Sequence, residues 1–243
     1  MLSIVLKRQD LRESDQFITL FTDESGKREV LARGIKKITS KLSAYVLPFF
    51  ILETECVPAK EMDLLITAQP YQTFRTIPQD FEKMSVVSYC LALVDSLTVL
   101  RHPEPRIFLL LASFLQACDE PIKNSEILVA SFSVKLLALL GWQPELTTCL
   151  VCREVLGEEA GYFNIAEGGV VHAACRKPGQ TVAGNSLVVP LGVNEKKDFQ
   201  KILAAPWAEL PATVAPSVLE LVHLFLLYHF QGKNPPKRFT LSV

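Results

Sequence analysis

The hydrophobic period of this chain changes once, and that change constrains its fold more than any other feature. Residues 1–80 read as strands, in which side chains alternate with a period of two. Leu2, Ile4 and Leu6 alternate with Ser3, Val5 and Lys7, and Phe17, Thr19 and Phe21 alternate with Ile18 and Leu20. Asp23-Glu24-Ser25-Gly26 reads as a turn. Lys27–Arg33, Val46–Cys56 and Asp63–Gln69 then supply three more strands. Short strands this close together are most simply satisfied by a small closed barrel, because closure removes unpaired edges. An OB-type barrel and an SH3-like barrel both fit this pattern.

After Pro78 the spacing becomes helical. Helices are expected over Phe81–Leu100, Glu104–Cys118, Ser125–Leu140, Asn194–Leu203 and Pro216–Gln231. Ser125 stands as the N-cap of the third helical run and Gly141 as its stop. The run Val218–Phe230 is apolar nearly all round, which marks that helix as the centre of a helical core. The boundary falls between Tyr71 and Pro78. The expected class is α+β and multidomain, with a small β-barrel at residues 1–78 and an all-helical domain at 79–243. At 243 residues and 49% hydrophobic composition the chain can bury such cores without disulfides.

The strongest chemical signal interrupts the helices. Cys149-Leu150-Val151-Cys152 is followed, after 19 intervening residues, by His172-Ala173-Ala174-Cys175. Two short knuckles offering two ligands each are what a tetrahedral zinc site needs. Between them, Gly161–Ile165, a glycine turn at Gly168-Gly169, and Val170-Val171 read as a hairpin that returns the second knuckle to the first. We therefore expect a zinc-finger insertion at about residues 145–180, with Cys149, Cys152, His172 and Cys175 holding one Zn²⁺. Four protein ligands leave no open position for water, so the site is structural. Arg153, Arg176 and Lys177 adjoin the ligands and offset their formal negative charge. Cys56, Cys90 and Cys118 are isolated in apolar surroundings and read as small core residues.

Global charge is uninformative, with 25 basic against 26 acidic residues. Locally it is not. Residues 1–42 carry nine basic and six acidic side chains, and residues 43–80 carry two and five. The densest basic stretch is Arg33 with the loop Gly34–Lys41, which holds Lys36, Lys37 and Lys41. Beside the groove of an OB barrel such a loop tracks a nucleic-acid backbone. Phe17, Phe21, Tyr45, Phe49 and Phe50 are the aromatics that could stack on bases or fill the core. Lys233, Lys237 and Arg238 form a second, weaker basic patch.

No phosphate-binding loop, dinucleotide fingerprint, nucleophile elbow or zinc-protease motif occurs, and nothing pairs a base with a nucleophile. A non-enzymatic protein is expected. A protein-only adaptor with a structural zinc site, and a zinc hydrolase, are the alternatives. No secretory pattern is seen, and the two longest apolar runs are broken by Asp95 and Lys135. A cytoplasmic protein that spans no membrane is expected.

Taken in order, Ile4-Val5-Leu6-Lys7-Arg8, Glu13-Ser14-Asp15, Thr19-Leu20-Phe21-Thr22, Gly26-Lys27, Ala32-Arg33-Gly34 and Leu47-Pro48-Phe49 resemble the RecO family of bacterial recombination mediators. Leu139-Leu140-Gly141-Trp142, Pro144, the first Cys knuckle, Gly168-Gly169-Val170 and Tyr228-His229 continue the resemblance along the whole chain. It implies an OB fold, a helical domain and a zinc-finger insertion. Many relatives have Cys where this chain has His172, itself a competent ligand, and some lack the cluster. The resemblance further implies binding of single- and double-stranded DNA and annealing of complementary strands. It also implies partnership with RecR, with the C-terminal tail of single-stranded-DNA-binding protein (SSB) and, functionally, with RecA, in the cytoplasm at the nucleoid. The family's basic DNA contacts map to Arg33, Lys36, Lys37 and Lys41, and further to Lys7, Arg8, Lys27 and Arg28. For the SSB tail, helix position singles out Arg101, Arg106 and Lys135.

Overall fold

A computed structural model describes residues 1–60, 62–176, 188–230 and 239. The chain divides into two compact units, one over 1–122 and one over 123–240.

The first unit opens with five strands, β1 (Leu2–Asp10), β2 (Gln16–Thr22), β3 (Gly26–Ala32), β4 (Phe50–Val57) and β5 (Asp63–Thr73). They close in the order β1-β2-β3-β5-β4, with β4 pairing back onto β1. Every pairing is antiparallel except the short parallel seam of β3 with β5. This is the OB-like arrangement of the two that alternation left open. Val5, Ile18, Leu20, Val30, Ala32, Leu52, Leu65 and Ala68 fill the interior, and Ile35 and Val46 plug it from the β3–β4 loop.

Two strand limits differ from expectation. β4 begins at Phe50 instead of Val46, because Pro48 has no N–H for a ladder. Val46 is nonetheless fully buried, as a loop residue. β5 runs past Gln69 to Thr73, and it carries Pro70 where the register with β4 shifts. A bulge is where a strand tolerates proline.

Two helices complete this unit, α1 (Phe81–Leu97) and α2 (Pro105–Asp119). Asp80 caps α1 by accepting from the amides of Glu82 and Lys83. α1 stops three residues short of Leu100, where Thr98 turns extended and its hydroxyl donates to the Val94 carbonyl. The buried Lys83 ammonium donates to Thr76 Oγ1 and to the last carbonyls of α2 at Asp119 and Glu120. Strands give way to helices where the change of period places them. The compact unit nevertheless extends to residue 122, because α1 packs on β1 and on α2, and α2 on β2.

The second unit holds α3 (Ser125–Leu139), β6 (Gly161–Asn164), β7 (Gly169–His172), β8 (Val188–Leu191), α4 (Val193–Ala204) and α5 (Pro216–His229). The cap of α3 is Asn124, whose side chain accepts from the Ile127 amide at 3.0 Å, and the expected cap Ser125 is the first helical residue. Gly141, with φ +94°, ends the helix as expected. Burial corrects which helix is central. α3 is buried on nearly all sides between α4 and α5, whereas α5 buries only the face of Val218, Leu221, Val222, Phe225 and Leu226. Gln231, the expected end of α5, lies outside the described residues, as do Lys233, Lys237 and Arg238. β6 and β7 form the expected hairpin, and β8 adds a third strand on the other side of β6.

Cys90 and Cys118 are buried, and burial pushes both thiols up, Cys118 to about 12. Cys56 packs half-buried against the barrel core. Among the described residues no helix is long and apolar enough to cross a membrane.

The tightest turn is Gly26, at φ +66°, where an added Cβ would lie 1.9 Å from the His102 carbonyl oxygen. Gly26→Ala should cost about 2–3 kcal/mol. Gly34→Ala has a similar φ of +64° but meets nothing closer than 3.5 Å, and should cost about 1 kcal/mol. Urea unfolding checks the order: both midpoints fall, Gly26→Ala further, at unchanged m.

Candidate functional site

The metal-ligand pattern of the sequence is assembled in space. The donor atoms of Cys149, Cys152, His172 and Cys175 all lie within 4.8 Å of one another. Donors bound at about 2.3 Å to one tetrahedral ion stand roughly 3.8 Å apart, so the cluster is of the right size. Backbone bonds build the first knuckle. The Arg153 amide donates to the Cys149 carbonyl at 3.0 Å, the Cys149 amide donates to the Glu154 carbonyl at 2.9 Å, and Arg153 takes φ +66° to make the turn. The hairpin delivers the second knuckle, since β6 Gly161 pairs with His172 at the end of β7.

Burial works against a thiolate at Cys149. The amides of Cys152, His172 and Val151 aimed at its sulfur outweigh it and bring the thiol down to about 6. Cys175 is pushed up to about 11, first by its hydrogen bond with Cys152 and then by burial and by Cys149. Thiols crowded in this way resist ionising together, and a divalent cation relieves that repulsion.

His172 turns Nδ1 to Cys152 Sγ at 3.3 Å and Nε2 to Glu159 Oε1 at 3.2 Å. A carboxylate behind an imidazole fixes the ring's orientation and raises its strength as a ligand. The spacing pattern gave no sign of Glu159, which becomes a neighbour only through the approach to β6. Arg176 lies over the Tyr162 ring at 4.5 Å, and Arg153 is exposed. Lys177 lies outside the described residues. The cluster can bind a metal ion, and its three sulfurs and one imidazole match zinc.

The basic residues of the barrel are not all alike. Lys27 reaches the side chain and the carbonyl of Asp95, and Arg28 pairs with the buried Asp63, so both are spent inside the unit. Arg8 donates to Gln16 Oε1, Gln16 to Asp10, and Lys36 pairs with Asp10 at 2.8 Å. Lys7, Arg33, Lys37 and Lys41 are exposed and hold no ion pair among the described residues.

One concavity of the barrel is lined by none of residues 34–41. A cleft of about 420 Å³ runs over the β2–β3 face, between the β1–β2 and β4–β5 loops. Leu11, Phe17, Leu31, Met62 and Leu64 supply apolar walls, and Arg12, Arg33, Lys60 and Asp15 supply charge. Phe17 and Leu31 face each other across β2 and β3. Of the basic residues expected to bind DNA only Arg33 lines this cleft, and Lys36, Lys37 and Lys41 do not. Arg12 and Lys60 escape a reading of charge density because each stands alone in its loop. Barrel closure brings the two loops to one rim. Among the aromatics considered for stacking, Phe21 is fully buried and Phe17 is in the cleft.

Lys135, singled out for the SSB tail, is already engaged within its own unit. Its ammonium donates to the Ala205 carbonyl at 2.6 Å and lies 4.0 Å from the centre of the Trp207 ring, and burial lowers it to about 8.

These features define an OB-like barrel protein with a cation-rimmed cleft and a separate helical unit that carries a Cys₃His cluster. The profile described as Recombination protein O N terminal matches residues 2–74, and that described as Recombination protein O C terminal matches 78–238. The chain is 31% identical over 173 residues to the DNA repair protein RecO of Desulforamulus reducens, covering 71% of this chain and 67% of that one. It is 26% identical over 235 residues to the DNA repair protein RecO of Nocardioides sp., covering 94% and 93%. The chain belongs to the RecO family, and with it to DNA repair and recombination.

The purified protein should carry about one equivalent of zinc. Cobalt substitution should give the intense d–d bands of a tetrahedral thiolate site. Cys152→Ser with Cys175→Ser should abolish both signals, whereas Glu159→Gln should keep the spectrum and bind metal at least tenfold more weakly. Metal analysis and chelator competition check these outcomes.

Proposed function

We propose that this protein is a non-enzymatic recombination mediator that holds a DNA strand on its barrel while its helical parts recruit other proteins. The observation that carries the reading is the barrel cleft. Cations at Arg12, Arg33 and Lys60 rim an apolar floor that contains Phe17. Guanidinium and ammonium groups neutralise phosphates, and an aromatic floor takes the face of an unpaired base whatever its identity. Exposed Lys7, Lys37 and Lys41 extend the basic surface available to single- or double-stranded DNA, with Lys36 and Arg8 more weakly because each already has a partner. A strand bound through phosphates keeps its bases free to pair, which is what annealing requires.

Zinc at the Cys₃His cluster has the role of ordering the β6–β7 hairpin and the knuckles. Partnership with RecR, and promotion of RecA loading on SSB-coated strands, are part of the proposal, and membership of the family supports them. For the acidic SSB tail the best-supported dock is the α1–α2 connection. There Val99 and Leu100 are exposed beside Arg101, and Arg106 and Leu109 are exposed in the first turns of α2 that follow. The site of action proposed is the cytoplasm, at the nucleoid.

Oligonucleotide binding against salt tests the cleft. Arg12→Ala/Arg33→Ala/Lys60→Ala should flatten the log–log slope for single strands by about 2 units. Lys36→Ala/Lys37→Ala/Lys41→Ala should flatten it less. An unchanged slope in the cleft variant, or a larger loss in the loop variant, moves the binding surface out of the cleft.

A further inference from the structure

A carboxylate is out of place in a cleft that is to hold a polyanion, yet Asp15 lines this one together with Arg12 and Arg33. Its bonds account for it. Oδ1 accepts from the Gly34 amide at 2.7 Å and from the Ser14 hydroxyl at 3.1 Å. The Asp15 carbonyl accepts from the Leu11 amide at 3.1 Å and from the Arg12 amide at 3.5 Å, which closes the β1–β2 loop on itself. The Lys36 amide donates to the Ser14 carbonyl at 3.0 Å. Asp15 therefore ties the loop that carries Arg12 to the chain leaving β3, one residue beyond Arg33. Gly34 takes φ +64° at this junction, the left-handed conformation that glycine adopts at least cost.

We propose that Asp15 is a positioning residue of the cleft: its side-chain acceptor latches the β1–β2 loop to Gly34 and sets the spacing of the Arg12 and Arg33 guanidiniums, while its charge lowers affinity for the nucleic acid. The inference rests on the cleft reading above. The Gly34 amide holds the carboxyl below its ordinary range, with Ser14, Arg12 and Arg33 adding to the effect, so the group is ionised at neutral pH. Latch and charge thus oppose each other in one side chain and can be separated.

Asp15→Asn keeps an acceptor oxygen and removes the charge. Asp15→Ala removes both. The two variants carry the same charge and differ in whether the latch acceptor is present. In single-strand titrations Asp15→Asn should bind about twofold to threefold tighter than the natural chain, with the salt slope kept. Asp15→Ala should bind about fivefold more weakly than Asp15→Asn. It should also show a flatter salt slope, because Arg12 and Arg33 no longer engage together. A purely structural loss would lower the melting temperature and leave the slope of the folded protein alone. Should Asp15→Ala fail to fold, Asp15→Ser serves in its place, its hydroxyl being one bond too short for the Gly34 amide. Exchange of the Gly34 amide proton reads the latch directly: protected in the natural chain and in Asp15→Asn, unprotected in Asp15→Ala. Equal affinity and slope for Asn and Ala overturns the latch, and an Asn variant weaker than the natural chain overturns the cost of the charge. The Arg12/Arg33/Lys60 alanine variant is run alongside. If it loses slope while Asn and Ala bind alike, the inference fails and the cleft stands. If it keeps its slope, both fail.

Discussion

The barrel closes across two residue pairs, Val30 with Asp63 and Leu31 with Leu64, and the candidate binding surface depends on that seam. Parallel pairing this short contributes little by itself. The seam is reinforced by the buried carboxylate of Asp63, which accepts from Arg28 on β3 and stands 3.4 Å from the Arg101 guanidinium. A buried ion pair is a weak source of net stability, but leaving one partner alone is costly. The pair therefore favours this register over a slipped one. Closure has a geometric consequence: the β1–β2 and β4–β5 loops end on one rim, and the β2–β3 face becomes the floor of a cleft.

Hydrogen bonds organise that rim locally. Asp10 gathers Gln16 and Lys36, and Asp15 gathers Ser14 and Gly34. Four of the eight basic residues first associated with DNA thereby have intramolecular work. Lys27 and Arg28 hold the barrel to Asp95 and to Asp63, and Arg8 and Lys36 hold the base of the β1–β2 loop. A basic residue is less available to phosphate once the fold has given it a carboxylate, and charge counted along a sequence cannot tell the two apart.

The helical unit rests on a different constraint. α3 is buried on nearly every side, and its own buried hydroxyls at Ser131 and Ser133 donate to the Ile202 and Val129 carbonyls. From its glycine-terminated end the chain enters the Cys₃His knuckles. Lys196 of α4 reaches back to the carbonyls of Leu156 and Gly157 to hold the segment between first knuckle and hairpin. The metal-ligand cluster is thus seated on a sheet and a helix and not on a free loop, which is what a preorganised site needs.

Much of this was legible in the amino-acid order. Alternation every two residues, and then every three to four, marked the strands and helices, because burial of one face imposes its period on the chain. The C-x₂-C…H-x₂-C spacing named the four donors, because a tetrahedral ion with two-residue knuckles leaves few other arrangements. The family resemblance was carried by short blocks in order. Tertiary structure decided what depends on pairs distant in sequence. It selected OB-like strand order over another small barrel, made α3 and not α5 the central helix, and brought Glu159 behind His172. It also raised Arg12, Lys60 and Asp15 to the rim while turning Lys27 and Arg28 inward. A local pattern records which side of an element is buried. Which loops meet at one end of a barrel, and which cation finds a carboxylate first, is settled only when the barrel closes.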